Sequence, residues 1–515
     1  MKEYIKGNYL YYLMWIAFSA FICLLVFPCL SKDFINYDSS YQYFLMQHPF
    51  EEMLRLLPED FSPPMYAVTL KLFTDVFGNT LFVMRVFNLI AIVSMLYIAA
   101  FPVRQLFGVK ASVICTVLMT ISSINIAQLP EIRPTYFSIF YFTAVGVCGY
   151  KALFSGKLTD LIALTVFSVI AMYTHNVAML GTLGIYITML VFALIMKERR
   201  RFVNILICGV ICAVAYIPWL RVVFYQFGNV QDNFWSSGKL DFQQIFSWTI
   251  SSPFEYEMSL PMHSILLIVA ALLLVMIVLK NIPFDRLKEV KKLSDISLSE
   301  QAKHTTIRGA YMVCSFIMPV LLLLLFSELV YPLATSRYFH IFSGVLIIVI
   351  SVGLANCRLR VMPWVFIGLC VYCFCAELCM IADRSSKDNV LYVTDLPEVI
   401  GSDAKFLHYH EWSLGPMCYY FPEGVHYVSD DTYTILRTYD VFTADLIEVG
   451  AATDIYEYTD EFYVCASGGM NLYMSEDIDE MMYATFPDAE IEQVGICYIP
   501  ETFLSNFELY RVKQK

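Results

Sequence analysis

SKDFINYDSSYQYFLMQHPFEEMLRLLPEDFSPPMYAVTLKLFTDVFGNT, residues 31–80, separates the apolar runs 9–30 and 81–101. Loops between membrane helices are usually short, so a 50-residue polar interruption between two such runs signals work at the membrane boundary. It carries Asp38 in INYDSSY and Asp60 in EDFSPPMY. An ionisable group a few residues beyond a span is a functional-site candidate by default.

Working outward, 58% hydrophobic and 16% charged residues lie outside the range of a soluble domain of 515 residues. Crossing about 30 Å of hydrocarbon at about 1.5 Å per residue takes about 20 apolar residues. Runs of that kind fall near 9–30, 81–101, 111–129, 135–153, 159–175, 178–196, 202–222, 259–280, 309–331, 338–356 and 361–382. The expected fold is therefore a polytopic α-helical membrane protein of about eleven spans. MKEYIKGN precedes the first run and no small-residue cleavage site follows it, so a retained anchor is expected.

Charge divides the chain near residue 384. Residues 385–515 hold 24 Asp and Glu against 6 Lys and Arg, whereas residues 1–384 hold 22 against 28. Two domains are expected: a transmembrane domain, 1–384, with long boundary loops at 31–80 and 223–258, and an acidic domain, 385–515. Such an acidic domain argues against nucleic acid and anionic lipid surfaces as its partners. In it, NVLYVTD, VHYVSDD, EFYVCAS and GICYIP read as strands, and DVFTADLIEV and EDIDEMMYATF as helices, giving a small α/β domain. No Gly-rich phosphate loop follows the VTD or VSD strand ends, so these read as solvated termini.

Orientation follows the Lys/Arg bias of short loops. With a cytoplasmic N-terminus, one side collects 19 basic residues, including the KERRR run at 197–201, and the other only eight. Residues 31–80, 223–258 and the acidic domain are then extracytoplasmic, in the plasma membrane. Twelve of the fifteen cysteines lie in or beside spans, where Cys behaves as a small hydrophobe, and Cys418, Cys465 and Cys497 imply no disulfide framework.

The basic-poor side keeps particular polar residues at its span ends. QLPEIRPTY places Glu131 and Arg133 before Tyr136, MYTHNV places Tyr173 and His175 together, and YPLATSRYFH supplies Arg337 and Tyr338. Each alone fits a snorkelling or helix-end residue. Arginines retained together suit an anionic phosphate. FYQFGNVQDNFWSSGKLDFQQIFSW, in the second boundary loop, suits an interfacial aromatic belt or a sugar-stacking groove, with Asp232 and Trp235 as candidates.

The succession of Asp38, DFSPPMY at 60–66, KLFTDVFG at 71–78, EIRPTY at 131–136, YTHN at 173–176 and SRY at 336–338 resembles the bacterial family 39 glycosyltransferases of the GT-C superfamily. These are relatives of the protein O-mannosyltransferases and of the lipid A aminoarabinose transferase. The resemblance covers most of the chain in order and is strongest over residues 35–220. It implies a polyprenyl-phosphate-linked monosaccharide donor, transfer on the outer face of the membrane, and a small exported C-terminal domain.

Two departures stand out. The family's first-loop Asp-Glu pair is here Asp38-Ser39, and Ser62 replaces the His of Asp-x-His-Pro-Pro. Both put a divalent metal site, with Glu131 and His175 as candidate ligands, in doubt. Inverting transfer to a hydroxyl needs one carboxylate base and positive charge on the leaving phosphate. Asp38 is the expected base, and Arg337, Arg133 and Tyr338 the expected phosphate site. Asp60, Glu131, Tyr136, His175 and Tyr173 are expected to orient or bind substrate, with Pro63 and Pro64 stiffening the approach to Asp60. The acceptor is a hydroxyl of a cell-envelope glycan, a lipid or a protein. A polytopic transporter and a catalytically silent scaffold with a partner-binding outer domain remain as alternatives.

Overall fold

The computed structural model describes residues 2–31, 34–59, 62–233, 245, 247–251, 253–254, 300–357, 360–384, 391–433, 439–443, 445–466, 475–499 and 505–515. Seven of its helices are long and apolar enough to cross a membrane, beginning with Tyr9–Leu30 and ending with Met362–Cys379, and Val109–Thr120, Leu158–Thr174 and Ser343–Asn356 are shorter apolar helices. Ten of the eleven expected spans thus fall on these helices, 111–129 only in its first half, and the eleventh, 259–280, lies outside the described residues, as do Asp60, Trp235 and the side chain of Asp232.

Close backbone approach holds the bundle, as expected where lipid supplies no hydrophobic drive between helices. Helix Asn176–Ile195 packs on helix Glu300–Leu329, and a Cβ added at Gly184 would stand 2.8 Å from the Pro319 nitrogen. The expected span 111–129 is instead broken after Thr120. There the Asn125 Nδ2 donates to the carbonyls of Met119 and Thr120, both at 2.8 Å, which satisfies the helix end and turns the chain.

The polar interruption 31–80 is not a loop but a set of short helices, Tyr37–Gln47, Phe50–Leu56 and Met65–Phe77. Asn36 starts the first of them: its Oδ1 accepts from the Ser39 amide at 2.7 Å. Asp38 sits in that helix's first turn, where a negative charge is favoured by the helix dipole.

The C-terminal part forms a seven-stranded mixed sheet. Its strands are β1 (Leu391–Tyr392), β2 (Lys405–His410), β3 (Val425–Tyr433), β4 (Asp445–Val449), β5 (Glu461–Ala466), β6 (Ala489–Ile499) and β7 (Ser505–Gln514), in the order β1-β6-β7-β5-β2-β3-β4. β7 runs antiparallel between β6 and β5, and β2, β3, β4 and β5 are parallel. DVFTADLIEV, expected as a helix, is a 3-10 turn followed by edge strand β4, paired to β3 from Val425–Asp445 to Ser429–Val449. Pairing along an available sheet edge overrides the sequence's weak helical periodicity.

Candidate active site

Four chain segments meet beside the helix Tyr37–Gln47. Arg85, on the second turn of helix Leu81–Ala100, is buried and joins two of them. Its Nε donates to the Pro130 carbonyl at 3.0 Å, and its terminal nitrogens donate to the carbonyls of Leu30, at 3.4 Å, and Phe34. One turn on, Asn88 donates to the carbonyls of Leu129 and Glu131 and accepts from the Tyr66 hydroxyl at 3.1 Å. The end of the first span and the PEIRP segment are thereby fastened together by side chains from a third helix. Ser39, buried at 3% exposure, adds a direct tie, its Oγ accepting from the Ile132 amide at 3.2 Å.

These ties deliver charge to one point. Arg133 lies 2.6 Å from one oxygen of Asp38, and Arg337, from the short helix Ser336–His340, lies 3.2 Å from the other. All three side chains keep between 18% and 31% of their surface exposed, so the cluster is reachable. Glu131 lies outside the spanning helices, and its Oε2 is buried with no hydrogen-bond partner among the described residues. Burial pushes its carboxyl up to about 7 against the pull of Arg133 and Arg337.

His175 joins helices Leu158–Thr174 and Asn176–Ile195, and its Nδ1 accepts from the Val177 amide at 3.1 Å. Nε2 therefore carries the proton of the neutral ring. Its ring stands edge-on to Tyr338, centroids 5.4 Å apart.

Asp38, Glu131, Arg133, His175, Arg337 and Tyr338 are thus brought into one neighbourhood. Tyr136 and Tyr173 are otherwise engaged: the first is buried with its hydroxyl on Asn125, and the second donates to the Ala215 carbonyl at 2.8 Å. Sequence reasoning missed Arg85, Asn88 and Tyr66 as the frame of this site. The signal available for the first two was an Arg and an Asn at i and i+3 on one apolar helix.

Among the described residues no three His, Cys, Asp or Glu side chains are placed to share a metal. His175 has committed its one lone pair to a backbone amide, and two guanidinium groups already occupy the cation positions around Asp38.

Fold and site define a multi-pass membrane protein in which boundary segments surround one carboxylate with two arginines. Residues 62–221 match the family described as dolichyl-phosphate-mannose-protein mannosyltransferase, which bears out the family 39 resemblance carried by the motifs. No curated protein sequence matches the chain. Solved structures similar to it include ArnT from Cupriavidus metallidurans in the apo state, at 11% identity, 96% coverage of this chain, 97% of that chain and TM-score 0.48. The same enzyme bound to undecaprenyl phosphate gives 10%, 96%, 97% and 0.43. The Archaeoglobus fulgidus oligosaccharyltransferase tethered with an acceptor peptide gives 11%, 82%, 64% and 0.41.

Proposed function

We propose that the protein is a membrane glycosyltransferase. It moves a monosaccharide from a polyprenyl-phosphate donor to a hydroxyl acceptor on the outer face of the plasma membrane, with inversion and with Asp38 as general base. The observation that carries this reading is the bracketing of Asp38 by Arg133 and Arg337 at 2.6 and 3.2 Å. The donor class is supported by the family match over residues 62–221, whose description names a polyprenyl-phosphate sugar. The outward placement of the site rests on the Lys/Arg bias of the loops, 19 against eight.

The pairing gives the reaction an order. A donor phosphodiester carries one negative charge, as Asp38 does, and can take its place between the guanidinium groups. Asp38 is then released as the donor arrives. The acceptor oxygen attacks the anomeric carbon while Asp38 takes the hydroxyl proton. The carbon–oxygen bond to phosphate breaks, and its electron pair leaves on a polyprenyl phosphate dianion held by Arg133 and Arg337. With Glu131 protonated, its neutral carboxyl leaves the surroundings net positive for the donor and gives the substrate a hydrogen-bond donor. His175 Nε2 and Tyr338 supply the neighbouring wall. Asp60 is assigned a supporting role, and Tyr136 and Tyr173 support the helices behind the site. The acceptor is a hydroxyl of an envelope glycan, a lipid or a protein Ser or Thr.

The test is transfer by purified full-length protein from a panel of radiolabelled polyprenyl-phosphate sugars to cell-envelope material. Asp38→Asn should lower the rate by about 10²–10⁴-fold, the usual contribution of a positioned base. Undiminished transfer by Asp38→Asn would remove the mechanism. A parent protein that transfers none of the sugars would remove the enzymatic reading.

A further inference from the structure

The helix bearing Asp38 has two faces, and the mechanism above uses one. Asp38 and Ser39 turn to Arg133, Arg337 and Ile132. The other face meets the sheet-bearing part of the chain along its whole length. Just before the helix, the Ile35 amide donates to the Tyr420 hydroxyl at 3.2 Å. Within it, Tyr43 stands edge-on to Tyr419, centroids 5.1 Å apart, and Phe44 edge-on to Phe442 at 5.4 Å. Just after it, His48 Nε2 hydrogen-bonds the Val441 carbonyl at 2.9 Å. At the centre, Ser40 is fully buried against Gly415 so closely that a Cβ on residue 415 would run into Ser40 Oγ.

The docking element is itself fixed to the sheet. Gly415 lies on helix Glu411–Tyr420, and Ser413 of that helix shares a 2.8 Å hydrogen bond with His408 on β2. His408 Nε2 in turn bonds His426 Nδ1 on β3 at 3.0 Å, and His426 Nε2 reaches the Phe421 carbonyl at 3.2 Å. With the carbonyl able only to accept, both tautomers follow. His426 Nε2–H donates to Phe421, His408 Nε2–H donates to His426, and the Ser413 hydroxyl donates to His408.

We propose that the C-terminal domain is a positioning element of the active site, holding Asp38 in register with Arg133 and Arg337 through the Gly415–Ser40 contact. This rests on the assignment of Asp38 as base. Since the helix is gripped on both faces, and an added Cβ would stand 3.1 Å from the Ser40 Cβ as well as on its Oγ, a side chain at 415 turns the Ser40 hydroxyl off the Tyr37 carbonyl it bonds at 2.7 Å and presses on the helix that carries Asp38. A displacement near 1 Å at a reacting group costs about 10²-fold in rate.

The experiment uses the full chain in lipid nanodiscs, with the panel sugar the parent turns over. Gly415→Ala should lower kcat at least tenfold with donor KM within about twofold of the parent. Adding Ser40→Ala removes the oxygen that the new Cβ would strike and should restore most of kcat. Hydrogen exchange supplies a readout without turnover. Amides 39–47 should exchange faster in Gly415→Ala and regain protection in the double variant, while β2, β3 and β5 stay unchanged. Parent-like kcat and exchange in Gly415→Ala overturn the proposal. So does loss of protection across the sheet that Ser40→Ala fails to reverse. If Asp38→Asn is inactive while Gly415→Ala is not, the positioning inference fails and the catalytic reading stands. If Asp38→Asn is active, the catalytic reading fails.

Discussion

Replacing Glu131 by Gln tests the electrostatics of the site without touching the base. Burial raises this carboxyl from its ordinary 4.5 to about 7, so the folded protein keeps a proton that the unfolded chain has already released over that interval. Stability then falls as pH rises between the two values, because the folded state binds the proton more tightly. At about 1.4 kcal/mol per pH unit, the loss reaches about 3 kcal/mol at and above pH 7. Below pH 4.5 both states are protonated and the residue contributes nothing of this kind. The substituted amide cannot ionise and has nearly the same shape as the carboxyl. Glu131→Gln should therefore match the parent near pH 4.5 and exceed it by about 3 kcal/mol at pH 8.

The assay is thermal unfolding of both proteins in one detergent, from pH 4.5 to 8.5. Groups that titrate equally in both, the buried histidines included, cancel in the difference. Donor binding gives a second readout. Glu131 adds a negative charge beside Arg133 and Arg337 as pH passes 7, so parent affinity for undecaprenyl phosphate should weaken there more than that of the variant. A stability difference that is flat with pH would refute the reasoning, since it would mean that burial does not hold the Glu131 carboxyl up.

Arg337→Ala should raise the dissociation constant for undecaprenyl phosphate at least tenfold, because a charged hydrogen bond is worth about 1.5–3 kcal/mol; unchanged binding by equilibrium titration would exclude Arg337 from the phosphate site. Arg85→Met should lower Tm by several degrees and reduce transfer as well. It strands three carbonyls, those of Leu30, Phe34 and Pro130, each at about 1–3 kcal/mol when buried without a partner. A parent-like Tm in detergent would show that water replaces the clamp freely. The C-terminal domain should weaken in acid. His426, held by burial down to about 4, stays neutral when the unfolded chain takes up a proton below about 6.5, so stability falls with pH from about 6.5 toward 4. Hydrogen exchange of β2 and β3 at pH 5 and 7.5 checks this, and His426→Asn should reduce the dependence, leaving the part owed to the equally buried His408, whose imidazole burial also holds well below its ordinary range.

The residues that sequence made legible share one property: their chemistry is out of place where they stand. Asp38, Glu131, Arg133, His175 and Arg337 are polar groups at the ends of apolar runs, and such groups need a reason to be there. The residues that escaped act through backbone groups distant in sequence. Arg85 counts in the sequence as one more base near the start of the span 81–101, and nothing in its neighbours shows that it reaches carbonyls 45 and 55 positions away. The helix Tyr37–Gln47 escaped for a related reason. It lies between protein on both faces, so it lacks the half-polar, half-apolar pattern by which a surface helix is read.

Ser39 joins these two cases. Beside the family's Asp-Glu pair, it is a missing carboxylate. In the fold it is 3% exposed and receives the Ile132 amide, whose neighbours on either side are Glu131 and Arg133. A glutamate in that volume would bring a buried carboxyl beside Glu131, whose Oε2 has no hydrogen-bond partner among the described residues, and would push back the segment that Ser39 now holds. The small hydroxyl keeps Arg133 within 2.6 Å of Asp38. The departure that first cast doubt on the site is, in this geometry, one of the contacts that assembles it.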